Sequence, residues 1–182
     1  MASLKGVLNM TYIYDAIQEL INEYDTRDPL EILKNMRVQI VPCNCQPQNV
    51  PSFYGMVTAP DGDPDYLAVI INPHLDREDT LLTYAHELTH IAVDREAIVS
   101  SPHRDCTIYN PNDRTEYRAN TGAAHLLIDD DELISLMEEG YDAFSIAGIL
   151  RVKPALLGYK VLDLNRMGYD LPTGWITNRL FG

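Results

Sequence analysis

Residues 76–96, Asp-Arg-Glu-Asp-Thr-Leu-Leu-Thr-Tyr-Ala-His-Glu-Leu-Thr-His-Ile-Ala-Val-Asp-Arg-Glu, constrain the chain more than any other stretch. They carry His86, Glu87 and His90 in the pattern H-E-x-x-H. On an α-helix four residues advance about 400°, so His90 returns to within about 40° of His86, one turn along. Both imidazoles then leave one face and can grip a single metal ion, while Glu87, about 100° away, can reach a water beside it. The stretch has the apolar spacing of a helix in Leu81, Leu82, Ala85, Leu88 and Ile91, and no Pro or Gly interrupts it. Asp76 is placed to cap its start, and Glu78 and Asp79 suit the positive end of the helix dipole. A buried helix whose histidines hydrogen-bond within the core is the competing reading, because short motifs also arise by chance.

Zinc held by two histidines needs a third protein ligand, with the fourth position open if the site is catalytic. Glu116, His103, Asp94 and the acidic run 129–132 are the candidates. Asp94 is on roughly the right face but a full turn beyond His90, and three ligands on one straight helix cannot close a tetrahedron. Glu116 is better placed, early in a second helix, with Asn120 one turn on and the small residues Ala119 and Ala123 beside it. Small side chains let two helices approach closely, and two His plus a Glu from a second helix is the thermolysin-like arrangement. A lone Glu is otherwise most often a solvated helix charge. His125, nine residues from Glu116, falls about 180° around that helix and faces away.

The remaining chain reads as α+β: mainly helical, with a small three-stranded sheet beside the H-E-x-x-H helix and a C-terminal helical subdomain. Residues 12–24 have an amphipathic stripe of Ile13, Ile17, Leu20, Ile21 and Tyr24. Asp28-Pro29-Leu30-Glu31 predicts a helix start, with Asp28 as cap, Pro29 in the first turn and Glu31 closing a capping box. Strands are expected at 38–41, 53–58 and 67–71, separated by Pro-rich turns. After the motif helix come an irregular loop, a helix from Asn110-Pro111 to about Ile128, and a short helix from Asp130 that Gly140 ends. A helical pair follows, 143–150 and 154–167, closed by Gly168. Residues 1–140 carry 9 basic and 24 acidic side chains, whereas 141–182 carry 5 and 3. We therefore divide the chain into a core, 1–140, and a helical extension, 141–182, for substrate or partner recognition.

Charge narrows the function further. A net charge of -13 repels phosphate backbones, so general nucleic-acid binding is disfavoured. The helical pair 143–167 has the outline of a helix-turn-helix, but Arg151, Lys153, Lys160 and Arg166 against Asp163 are a small basic excess for DNA. No apolar run is long enough to span a bilayer, and the start lacks the apolar core of a signal peptide, so a cytoplasmic protein is expected. Three cysteines, two of them Cys43 and Cys45, do not suggest a disulfide framework.

Glu116-x-x-Ala119-Asn120-x-x-Ala123-Ala124-x-Leu126-Leu127, following an H-E-x-x-H helix, resembles the ImmA/IrrE family of metallopeptidases. Tyr24 to Pro29 is similar to the family's opening segment, Ile70-Ile71-Asn72 to the strand before its zinc helix, and 146–152 and 159–164 to its C-terminal helical part. The resemblance implies one zinc ion per chain held by His86, His90 and Glu116, with Glu87 as catalytic base. It also implies an intracellular protease, frequent on phages and mobile elements, that acts as an anti-repressor by cleaving a helix-turn-helix repressor. Asn120 is a candidate partner behind the ligands, and Tyr84, Tyr109 and His103 are candidate oxyanion stabilisers. Two positions depart from the family, which commonly has an aromatic residue at Gly122 and a glycine at Thr89. Gly122 in mid-helix costs about 1 kcal/mol relative to Ala and removes a large side chain, so another group must fill that space or a pocket is left. Gly122 and the absence of an obvious oxyanion residue keep open an alternative: a non-catalytic module of the same fold that sequesters a repressor or a toxin/antitoxin-type partner.

Overall fold

The structure, a computed structural model, describes residues 11–42, 52–57, 66–93 and 114–176. Among these the chain is mostly helical with a small sheet. Two helices lead, α1 (Tyr12–Tyr24) and α2 (Pro29–Asn35), followed by strands β1 (Gln39–Pro42), β2 (Ser52–Val57) and β3 (Tyr66–Ile71). Then come α3 (Arg77–Val93), α4 (Arg114–Leu127), α5 (Asp130–Glu138), α6 (Ala143–Leu150) and α7 (Pro154–Arg166).

Local chemistry accounts for most of these boundaries. Asp28 caps α2, its side chain accepting from the Leu30 and Glu31 amides, with Pro29 in the first turn. The return half of the expected capping box is rerouted. Thr26 Oγ1 accepts from the Asp28 amide and donates to Glu31 Oε2, so the hydroxyl stands between that amide and the Glu31 carboxylate. Asp76 accepts from the Asp79 amide at 2.8 Å and so starts α3. Asp129 and Asp142 cap α5 and α6 in the same manner. Gly140 and Gly168, at φ of 86° and 108°, follow α5 and α7 in the left-handed region that glycine enters without a Cβ penalty.

The strands lie in the order β1-β3-β2, with β1 parallel and β2 antiparallel to β3. Central β3 is apolar throughout because both its edges are paired and Ala68, Val69 and Ile71 are buried. The sheet and α1, α2 and α4 surround α3, which explains why α3 is buried around so much of its circumference. One apolar core runs from Ile17 and Leu20 through Leu33, Val69, Leu88 and Ile91 to Leu126, Leu157, Val161 and Leu164. Residues of the C-terminal extension thus share the core of the residues before them. Helix α7 lays Leu156, Leu157, Val161 and Leu164 into that core and packs against α4.

Lys160, counted above among the basic residues of a helix-turn-helix outline, is wholly buried. Its ammonium donates to Asp130 Oδ1 and, at 3.0 Å, to His125 Nδ1. His125 Nε2 in turn meets Asp163 Oδ2 at 2.9 Å. The basic charge at Lys160 is therefore spent inside the protein, where it pins α7 to α4 and α5. Among the described residues no helix is long and apolar enough to cross a membrane.

Candidate metal centre

Among the described elements helices α3 and α4 share the most extensive contact, and it brings the candidate ligands together. His86 and His90 leave one face of α3, their rings edge to face with centroids 4.8 Å apart. Glu116, in the first turn of α4, points at both. The Nε2 atoms of His86 and His90 are 3.1 Å apart. Glu116 Oε2 is 3.2 Å from His86 Nε2, and its Oε1 is 3.5 Å from His90 Nε2. Ligands about 2.0–2.1 Å from a tetrahedral zinc ion are separated from one another by about 3.3 Å. The three spacings fall on either side of that value, so this donor set fits a tetrahedral ion. Among the described residues these three side chains form a group that could hold a metal.

The electrostatics agree. Hydrogen bonds from His86 and then His90 hold the Glu116 carboxyl well below the ordinary carboxylate range, and its partial burial only weakly opposes them. The group is thus an anion over the whole physiological range. Behind the ligands, Asn120 Oδ1 lies 3.0 Å from His86 Nδ1. An amide oxygen can only accept, so this bond calls for a proton on Nδ1 and makes Nε2, the atom that faces Glu116, the one to ligate a cation in place of its proton. Asn120 reaches His86 because it sits one turn beyond Glu116 on the same face of α4. Glu87, the next residue along α3, is buried at 5% exposure.

Tyr84 belongs to the apolar core, and burial pushes its hydroxyl pKa up. His103, Tyr109 and Asp94 lie outside the described residues. Asp129 is engaged by Arg27 at 2.7 Å and Asp130 by Lys160, so neither of these two carboxylates is part of the histidine cluster. His125 is buried on the far side of α4 with Lys160 and Asp163.

The space left by Gly122 is filled. A Cβ built on Gly122 would stand 2.2 Å from Thr89 Cγ2, 2.6 Å from its Oγ1 and 3.0 Å from its Cβ. Thr89 is fully buried and its hydroxyl donates to the Ala85 carbonyl at 2.8 Å. The two departures from the family pattern are therefore one feature: a threonine on α3 occupies the notch that a glycine on α4 provides. Sequence reading noted both positions but had no means of placing them in contact.

The family model for peptidase M78, described as an IrrE N-terminal-like domain, matches residues 34–161, a span that holds every residue of the cluster. The chain belongs to that peptidase family. This member is also similar to an "uncharacterized immunity region protein 2" of Bacillus phage phi105. The two are 28% identical over 121 residues, which is 66% of this chain and 70% of the phage protein.

Proposed function

We propose that this member is a zinc-dependent endopeptidase that cleaves one specific intracellular protein, a helix-turn-helix repressor of a phage or mobile element. The observation that carries this reading is the spacing of the His86, His90 and Glu116 donor atoms, which matches the edges of a tetrahedral zinc site. Zinc bound there would supply Lewis acidity to the scissile carbonyl and lower the pKa of the attacking water. Glu87 takes the proton of that water and delivers it to the leaving amide nitrogen. Glu116 contributes negative charge as well as a ligand atom, and Asn120 keeps the His86 ring in the orientation and tautomer that ligation needs. Recognition of the repressor is assigned to residues 141–182, where the acidic bias of the chain is lost. The likeness to a phage immunity-region protein supports a partner of this class.

The alternative of a non-catalytic sequestering module drew on Gly122 and on the absence of an obvious oxyanion residue. With Thr89 seated against it, Gly122 no longer favours that alternative. The deciding experiment incubates the zinc-loaded protein and its Glu87→Gln variant with the cognate repressor. The variant should keep its zinc and lose about 10²- to 10⁴-fold in cleavage rate, the usual contribution of a general base. Equal cleavage by both proteins would rule out the mechanism. Replacing Glu116 with Ala should instead reduce zinc content itself, measured by elemental analysis.

A further inference from the structure

Helix α7 reaches the metal centre from outside the motif-bearing helices. The Tyr159 hydroxyl accepts from Asn120 Nδ2 at 3.4 Å, while Asn120 Oδ1 faces His86 Nδ1 at 3.0 Å. The Asn120 carboxamide is thus held at both ends, by the ligand on one side and by Tyr159 on the other. Tyr159 is itself fixed. Its ring meets Tyr117 edge to face at 5.3 Å, and Tyr117 is held by Arg166, whose Nη1 donates to the Tyr117 hydroxyl at 2.6 Å. Arg166 also lies 5.1 Å from the centre of the Tyr117 ring, a cation–π distance. One residue further along α7, Lys160 anchors the helix to α4 and α5. Burial raises the Tyr159 pKa, so the phenol stays neutral at physiological pH and does not place a second negative charge behind the site.

We propose that Tyr159 is a positioning residue for the metal centre, acting on His86 through Asn120. The chain of contacts runs from the C-terminal helix to a zinc ligand, so α7 helps to set the geometry of a site whose ligands all lie on α3 and α4. The proposal rests on the metal-site reading above. Partners that orient metal-bound imidazoles are worth about 10- to 100-fold in metal affinity, and a residue one step further out should be worth less.

The test is zinc affinity, measured by chelator competition on the full chain, for the parent, Tyr159→Phe, Asn120→Ala and the double variant. Phenylalanine keeps the ring against Tyr117 and removes only the hydroxyl. Tyr159→Phe should weaken zinc binding by about 3- to 10-fold, and Asn120→Ala by about 10- to 100-fold. The double variant should bind as Asn120→Ala does, because the proposed action of Tyr159 passes through that amide. The metal-free melting temperature of Tyr159→Phe should match that of the parent, which a merely structural role would not allow. Zinc affinity unchanged in Tyr159→Phe, or losses that simply multiply in the double variant, would overturn the proposal while leaving the metal-site reading intact. Failure of the parent chain to take up zinc would overturn both.

Discussion

Thr89 and Gly122 face each other across the interface that also carries the three candidate ligands, and their fit can be tested by a single carbon atom. Alanine at 122 would gain about 1 kcal/mol of helix propensity over glycine. It would also force a methyl group against Thr89, and turning the threonine side chain gives no relief because its Cβ is itself only 3.0 Å away. Overpacking of this kind costs about 1–3 kcal/mol, and the contact with Cγ2 at 2.2 Å puts it at the upper end. Gly122→Ala should therefore lower stability by about 1–2 kcal/mol in urea unfolding. Adding Thr89→Gly to the same chain should bring it back to within about 1 kcal/mol of the parent. A single variant as stable as the parent would mean that the two helices yield where the structure shows them in contact.

Helix α4 carries two chemistries on opposite sides, and its periodicity made that legible beforehand. Glu116 and Asn120, one turn apart, face α3, and His125 faces the junction with α7. The helix starts at Asp28 and Asp76 were also legible, because a cap depends on residues two or three positions away. Tyr159 and Lys160 were not. A tyrosine and a lysine on an amphipathic helix gain their roles only when that helix docks, and docking is a long-range event that no local spacing encodes. The junction itself predicts a pH response. Burial lowers the His125 pKa, the hydrogen bond it donates to Asp163 opposes that shift, and the charge of Lys160 adds to the lowering. Asp130 and the ring edge of Tyr14, 5.0 Å away, complete the surroundings, and Arg27 donates to the His125 carbonyl. In the unfolded chain His125 takes a proton near pH 6.5, whereas the folded form resists it to lower pH. Its contribution to stability is present above about pH 6.5 and is lost as pH falls from there towards the folded pKa. Burial alone would raise the Asp130 carboxyl, but Lys160 and Tyr14 outweigh it and hold the pKa below its ordinary value, so a further loss is expected in more acidic solution. Unfolding free energy of the metal-free protein should therefore fall between pH 7.5 and 5.5, and less steeply in His125→Gln. Identical slopes would exclude His125 as the source.

For the molecule as a whole, the candidate ligands join two helices that already share an apolar core, so metal should reinforce the fold without creating it. Zinc at about 100 times its dissociation constant would add about 2.7 kcal/mol. For a chain of this size that corresponds to a rise of about 5–11 °C in melting temperature. Chelation should lower the melting temperature by that amount and leave the helical circular dichroism in place at 25 °C. Collapse of the helical signal on chelation would show that the core cannot stand without its ion. The notch between α3 and α4 has one more consequence, for how such a chain could change over generations. Starting from Thr89 and Gly122, an aromatic residue arriving first at 122 would collide with an occupied space and prise apart the helices that bring the donors together. A glycine arriving first at 89 would leave only a small void, which a core survives. The order of replacement is thereby fixed by sterics: passage to a glycine at 89 with a large side chain at 122 runs through the emptier intermediate, and the return journey must begin by vacating position 122.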